Sequence, residues 1–187
     1  TIEANTLKNN NDKSQITATK SGHLVTKKQL HNKGVIGSAK QKSNWTIESQ
    51  GSLINDKKLQ ADTLTVKATD LQNNSEMEGK SSLTLSGNVL DNKGILVGHQ
   101  QLEISKFSQV DNSGAIQAGN SSKLLNLGAV NNRGGVECLG GSLNIEADSL
   151  TTDGIIHART ATLNVAEKLL AKNLITGDDL LHIKAEK

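Results

Sequence analysis

A seven-residue phrase returns three times at an interval of twenty: Leu90-Asp91-Asn92-Lys93-Gly94-Ile95-Leu96, Val110-Asp111-Asn112-Ser113-Gly114-Ala115-Ile116 and Val130-Asn131-Asn132-Arg133-Gly134-Gly135-Val136. A fixed period of this length marks one small unit stacked on copies of itself, because a single unit cannot bury its own apolar face. Followed outward, the leading apolar residue becomes Leu7, Leu30, Leu53, Leu71, Leu90, Val110, Val130, Leu150 and Leu169, with spacings of 23, 23, 18, 19, 20, 20, 20 and 19. Nine units fill residues 1–187 as one segment, less regular over 1–70 than over 71–187.

Offsets within the unit repeat too. Two residues after each start come Asn9, Asn32, Asn55, Asn73, Asn92, Asn112 and Asn132, then Thr152 and Ala171 in the last two units. Asn tolerates turns, and stacked Asn side chains can hydrogen-bond as a ladder. Four residues after the start come Gly34, Gly94, Gly114, Gly134 and Gly154, with Asn11 and Asn173 in two other units. Gly or Asn there predicts a corner with positive φ.

Beyond that corner the pattern alternates with period two, as strands do. Large aliphatics fall at Ile36, Leu59, Met77, Leu96, Ile116, Val136, Ile156 and Ile175, with small residues two positions later, from Ser38 and Ala61 to Gly177. A second strand follows, as in Leu64-Thr65-Val66, Leu143-Asn144-Ile145 and, by the same reading, Leu163-Asn164-Val165. Three short strands and three corners per unit predict an all-β fold, a parallel β-helix (β-solenoid) of about nine coils. At the usual strand spacing of ~4.8 Å the stack would be a rod about 40 Å long. An antiparallel sandwich is the rival fold, and it does not explain a corner residue recurring at one offset.

Composition agrees with a thin, layered interior. The chain has one Trp, one Phe, one Met and no Tyr, against seventeen Gly, and it has no Pro. Proline would remove a backbone donor in a stack where strands pair on both sides. The single Cys138 excludes an internal disulfide. No apolar run approaches the ~20 residues of a membrane-spanning helix, so no membrane insertion is expected. No secretory leader opens the sequence, and Thr1-Ile2-Glu3-Ala4 reads as the tail of an earlier repeat. The chain therefore reads as an internal piece of something longer.

The pattern Leu-x-Asn-x-Gly-x-Ile-x-Ala/Gly, followed by Leu-x-Ile-x-Ala, resembles the repeats of filamentous haemagglutinin and the CdiA-type contact-dependent inhibition exoproteins. The resemblance covers essentially the whole chain and is clearest over residues 71–168. It implies a right-handed β-helix in a large bacterial exoprotein, exported by an outer-membrane two-partner secretion transporter. It further implies a monomeric filament segment at the cell surface, presenting adhesive or toxin-delivery regions and contacting a receptor, protein or glycan, on another cell. The Asn-Pro-Asn motif of the secretion-signal domain and the Val-Glu-Asn-Asn pretoxin motif are both absent from the sequence.

Chemistry finds little foothold in the sequence. A pectate-lyase-like site would need acids clustered across coils to hold Ca²⁺ and a polyuronate; Asp91 and Asp111 share an offset, with Lys93 and Arg133 near, but the next coil has Asn131. His23, His31, His99, His157 and His182 occupy different offsets, so no metal site is expected. Cys138 falls in the small inward row and reads as a buried hydrophobe. No cofactor is expected, and no nucleic acid either, since aromatics to stack bases are missing. The expected character is a non-enzymatic structural and adhesive segment, with the polysaccharide-acting enzyme as alternative. Residues 1–60 carry ten Lys against four acids. That excess suits an anionic partner or simply a solvated face. Trp45, beside Lys40 and Lys42, admits two readings: an exposed anchor for a partner, or a filler of a wider coil.

Overall fold

The computed structural model describes residues 1–186; Lys187 lies outside the described residues. Fifteen strands and no helix make up that span, and every strand pair is parallel. The chain is a β-solenoid of about nine stacked coils. Its leading residues form one unbroken row: Leu7 pairs with Leu30, Leu30 with Leu53, and Leu53 with Leu71. The row continues through Leu90, Val110, Val130 and Leu150 to Leu169. Units one to three, with their uneven spacings, therefore join the same ladder as the rest, the extra residues being taken up in the turns.

The aliphatic row runs beside it without a gap, from Ile16 and Ile36 through Leu59, Met77, Leu96, Ile116 and Val136 to Ile156 and Ile175. From Ile36 to Ile156 these side chains are at most 2% exposed. Each such burial contributes roughly 1.5–3 kcal/mol before conformational entropy is subtracted. At the two end coils the rows lie open, with Ile2 at one end and Leu174 and Leu180 at the other exposed.

Three features differ from the expectation. Strands often run through corners: Lys58–Asn73, Glu76–Asn92 and Gly135–Thr152 each wrap three sides of a coil. Those corners are absorbed by register shifts, as between Ala61 and Thr63, so that in these coils only the turn after the Asn row breaks the strand. Second, Leu163-Asn164-Val165 is displaced by two residues from the predicted alignment. Leu163 lies beside Ile145 and Ala161 beside Leu143, because the turn after Ala158 is shorter than the one after Cys138.

Third, the corner glycines do not have positive φ. Among glycines only Gly37 does, at 114°. Gly94, Gly114, Gly134 and Gly154 are required for a different reason: a Cβ on any of them would collide with a backbone carbonyl oxygen of the preceding coil. Gly34 meets the carbonyl of Ser14 in the same way. The constraint comes from coil-to-coil approach at the turn. Gly135 is the control, since an added methyl there meets only Glu137 Oε1, at 3.7 Å. Gly134→Ala is expected to cost about 1–3 kcal/mol through overpacking. Gly135→Ala should be neutral or gain up to about 1 kcal/mol by stiffening the unfolded chain. Urea unfolding of both variants checks this; equal losses would refute the coil-contact explanation.

Candidate functional site

The Asn row is a continuous side-chain ladder. Nδ2 of Asn9 donates to Oδ1 of Asn32 at 2.8 Å, and Asn32, Asn55 and Asn73 each repeat that bond to the next Asn at the same distance. Asn92 and Asn112 extend it at 2.7 Å, and Asn132 donates to Thr152 Oγ1 at 3.0 Å. Each amide also donates to a backbone carbonyl past the turn, as Asn55 does to Glu76 and Asn92 to Ala115. These side chains are buried. Their hydrogen-bonding capacity is spent inside the stack.

Trp45 is core. It is 3% exposed, in register between Gly22 and Leu64, and its ring occupies the space a Cβ on Gly22 would need. The anchor reading of Trp45 is thus corrected: the wider second coil needs filling, and the indole does so. Lys40 and Lys42 stay exposed on the adjoining loop. That loop is pinned by Ser43, whose hydroxyl donates to the Ser38 and Lys40 carbonyls, and by the Lys42 N–H, which donates to Asp62 Oδ2 at 2.9 Å. Lys42 itself has φ 61°.

Asp91 and Asp111 are register partners, as their shared offset requires. Asp91 pairs with Lys93 at 2.7 Å, and Asp111 accepts from Asn131 at 3.0 Å. Among the described residues no group of three or more His, Cys, Asp or Glu converges on one point. Cys138 is buried, its Sγ donates to the Ser142 carbonyl, and burial pushes the thiol pKa up.

The histidines reach further than their scattered offsets suggested. His31, His99 and His157 each meet a carboxylate of a neighbouring coil: Asp56 at 2.6 Å, Glu78 at 3.0 Å and Asp178 at 2.9 Å. Hydrogen bonds from Asn74 first and His31 second hold the Asp56 carboxyl below its ordinary pKa. Glu78 also receives Lys58 Nζ at 2.8 Å, and that ammonium lies 2.9 Å from Glu76. Burial raises the pKa of Glu78, but the bonds from Lys58 and His99 outweigh it and hold the carboxyl below its ordinary value of 4.5. The fold therefore prefers ionised Glu78. That contribution is full above the unfolded-state value and drains away as pH falls through the lower folded-state value. Glu78→Gln should melt below the parent at neutral pH, with the gap closing as the pH is lowered through the acid range below 4.5. A constant gap over that range would rule out the ionic contribution.

A furrow runs along the corner where each coil returns to its next leading residue. It encloses about 790 Å³ over several consecutive coils. Its floor is Phe107, Leu127, Ala147 and Val165, all buried. One wall is a row with one side chain per coil, Lys106, Asn126, Glu146, Asn164 and Lys184; the last three are direct register partners, and the first two follow the paired Ser105 and Leu125. The opposite wall is Asn88, Ser108, Gly128 and Asp148. Lys106 and Asn126 have φ of 66° and 54°. Together with Lys42 they are the non-Gly residues in that region among those described.

No family model, curated protein or solved structure matches this chain.

The sequence reading passed over the furrow because its residues differ in type. Lys106, Asn126 and Glu146 share no chemistry that a motif would reveal. The available signal was positional: the Asn88–Asp148 wall repeats at an interval of twenty, and the Lys106–Lys184 wall does so except for a step of eighteen from Glu146 to Asn164.

Proposed function

We propose that this chain is a non-enzymatic structural and adhesive rod, a segment of a large secreted bacterial filament of the filamentous haemagglutinin/CdiA kind. In this reading an outer-membrane two-partner secretion transporter exports it. The rod then holds adhesive or toxin-delivery regions away from the producing cell and touches a receptor on another. The observation that carries the reading is the ladder from Asn9 to Thr152, which binds eight successive coils through one buried polar row. A row so used gives stiffness along the axis, and it leaves recognition to the outward rows and loops.

The test is binding of the purified chain to whole bacteria and host cells, repeated with Lys40→Glu and Lys42→Glu. Retained binding would exclude the basic loop as the contact, and absence of binding to any cell would leave a passive spacer. A polysaccharide-acting enzyme is the second reading, favoured by the register pairing of Asp91 with Asp111. Cleavage of polygalacturonate that disappears in Asp91→Asn or Asp111→Asn would establish that reading over the first.

A further inference from the structure

We propose that the furrow between the Lys106–Lys184 row and the Asn88–Asp148 row binds an extended, neutral, β-linked oligosaccharide. The proposal deepens the adhesive reading by giving the rod a ligand class, and its failure would leave the rod itself standing.

Three observations lead there. First, most of the furrow's polar side chains are unspent; the exceptions are Ser108, which donates to Asn88, and Glu146, which accepts from Asn144. Lys106, Asn126, Asp148, Asn164 and Lys184 make no side-chain hydrogen bond or ion pair among the described residues, although they line a common concavity. On the other edges the corresponding groups bond across coils, as in the Asn ladder and the histidine–carboxylate pairs. Second, Lys106 and Asn126 carry a left-handed backbone in successive coils, a conformation that non-Gly residues pay for and that gathers at functional sites. Third, the volume of about 790 Å³ falls in the range of ligand clefts, and the floor is apolar beneath polar walls.

Spacing and charge select the ligand. One wall residue is presented per coil, at the ~4.8 Å strand separation. That step is close to the rise of one β-linked pyranose along an extended chain, and longer than the ~3.3 Å rise of an extended peptide. Asn126 and Asn164 each offer a carbonyl and two N–H groups, and Asp148 offers two acceptors, a set suited to ring hydroxyls. The Leu127, Ala147 and Val165 floor faces where the C–H side of each ring would lie. The furrow's lining, which also includes Glu186, holds two lysines against Glu146, Asp148 and Glu186, a net of −1, so a polyanionic chain gains nothing on entering. With Phe107 in the floor but only 1% exposed, and Trp45 in the core, no exposed ring is available to stack on a sugar. Each site is therefore weak, and attachment depends on many contacts along a filament.

The experiment is titration of the isotope-labelled chain with cellotetraose and chitotetraose, followed by amide NMR shifts. Tetragalacturonate and a serine–glycine octapeptide are the comparison probes. The proposal expects the neutral tetrasaccharides to shift signals of residues 106–108, 126–128, 146–148 and 164–166, and the Asn ladder to stay still. Asn126→Gly keeps the left-handed backbone while deleting the amide; together with Asn164→Thr it should weaken binding about tenfold, the loss of two hydrogen-bonding rungs. Asp148→Asn, at an exposed and unbonded position, gives a second reading should that pair melt early. Silence with both neutral probes, shifts confined to another face, or a stronger response to tetragalacturonate or the peptide would each overturn the proposal. Turnover of a tetrasaccharide bound in the furrow would uphold the site and overturn the non-enzymatic reading instead.

Discussion

Trp45→Ala is expected to lower the stability of the chain by about 3–5 kcal/mol, the usual cost of emptying a large aromatic from a core. The ring is 3% exposed, and Gly22 beneath it has no side chain to move into the space. Leu64 on the other side is fully buried and held by its own strand pairing, so it cannot follow the void. Trp45→Phe should stay within about 1 kcal/mol of the parent, because it keeps most of the ring and removes an indole N–H that has no acceptor. Thermal and urea unfolding of the two variants measure the difference. If Trp45→Ala melted with the parent but lost attachment to cells, the ring would be a surface anchor after all.

The rows were legible in the sequence because a stack imposes the same environment at the same offset in every coil. Leu7 through Leu169, Ile16 through Ile175, and the Asn row all answer to inward positions where burial dictates residue type, and the register of the fold follows them. The glycines were found for the wrong physical reason. A short turn can demand a missing Cβ through backbone torsion or through crowding by the coil below, and only coordinates separate the two. The displacement of Leu163 was hidden because residues 163–165 match the second-strand pattern even when slid by two, a shift that keeps every inward residue inward. Outward positions carry no such constraint. That is why the histidine–carboxylate pairs and the furrow, both assembled from outward residues of different coils, left almost no mark on the pattern.

Asn92 lies near the middle of the ladder, so its removal tests whether the ladder holds the rod together. Asn92→Leu keeps the approximate volume but deletes every polar contact. Asn112 Oδ1 then loses the donor that reaches it at 2.7 Å, and the carbonyl of Ala115 loses a partner at 3.2 Å. Asn73 Nδ2 fares better, since it also donates to the Ser75 and Ile95 carbonyls. Two acceptors left short, one buried and one partly buried, at roughly 1–3 kcal/mol each, predict a loss of about 3–5 kcal/mol. Thr152 shows how a smaller group can fill a rung: its hydroxyl accepts from Asn132 at 3.0 Å and donates to the Gly154 carbonyl at 2.9 Å. Asn92→Thr can copy that arrangement but has no second donor for Asn112, so its expected loss is smaller, about 1–2 kcal/mol. In a stack whose coils touch only their neighbours, the weakened rung should also uncouple the coils on either side. Hydrogen exchange of Asn92→Leu should then show amides in residues 95–132 opening ahead of those in residues 24–73, whereas the parent opens them together. An Asn92→Leu variant that lost under about 1 kcal/mol and still exchanged as one unit would show that aliphatic packing alone carries the rod, since the penalty for the acceptors left short would then be missing.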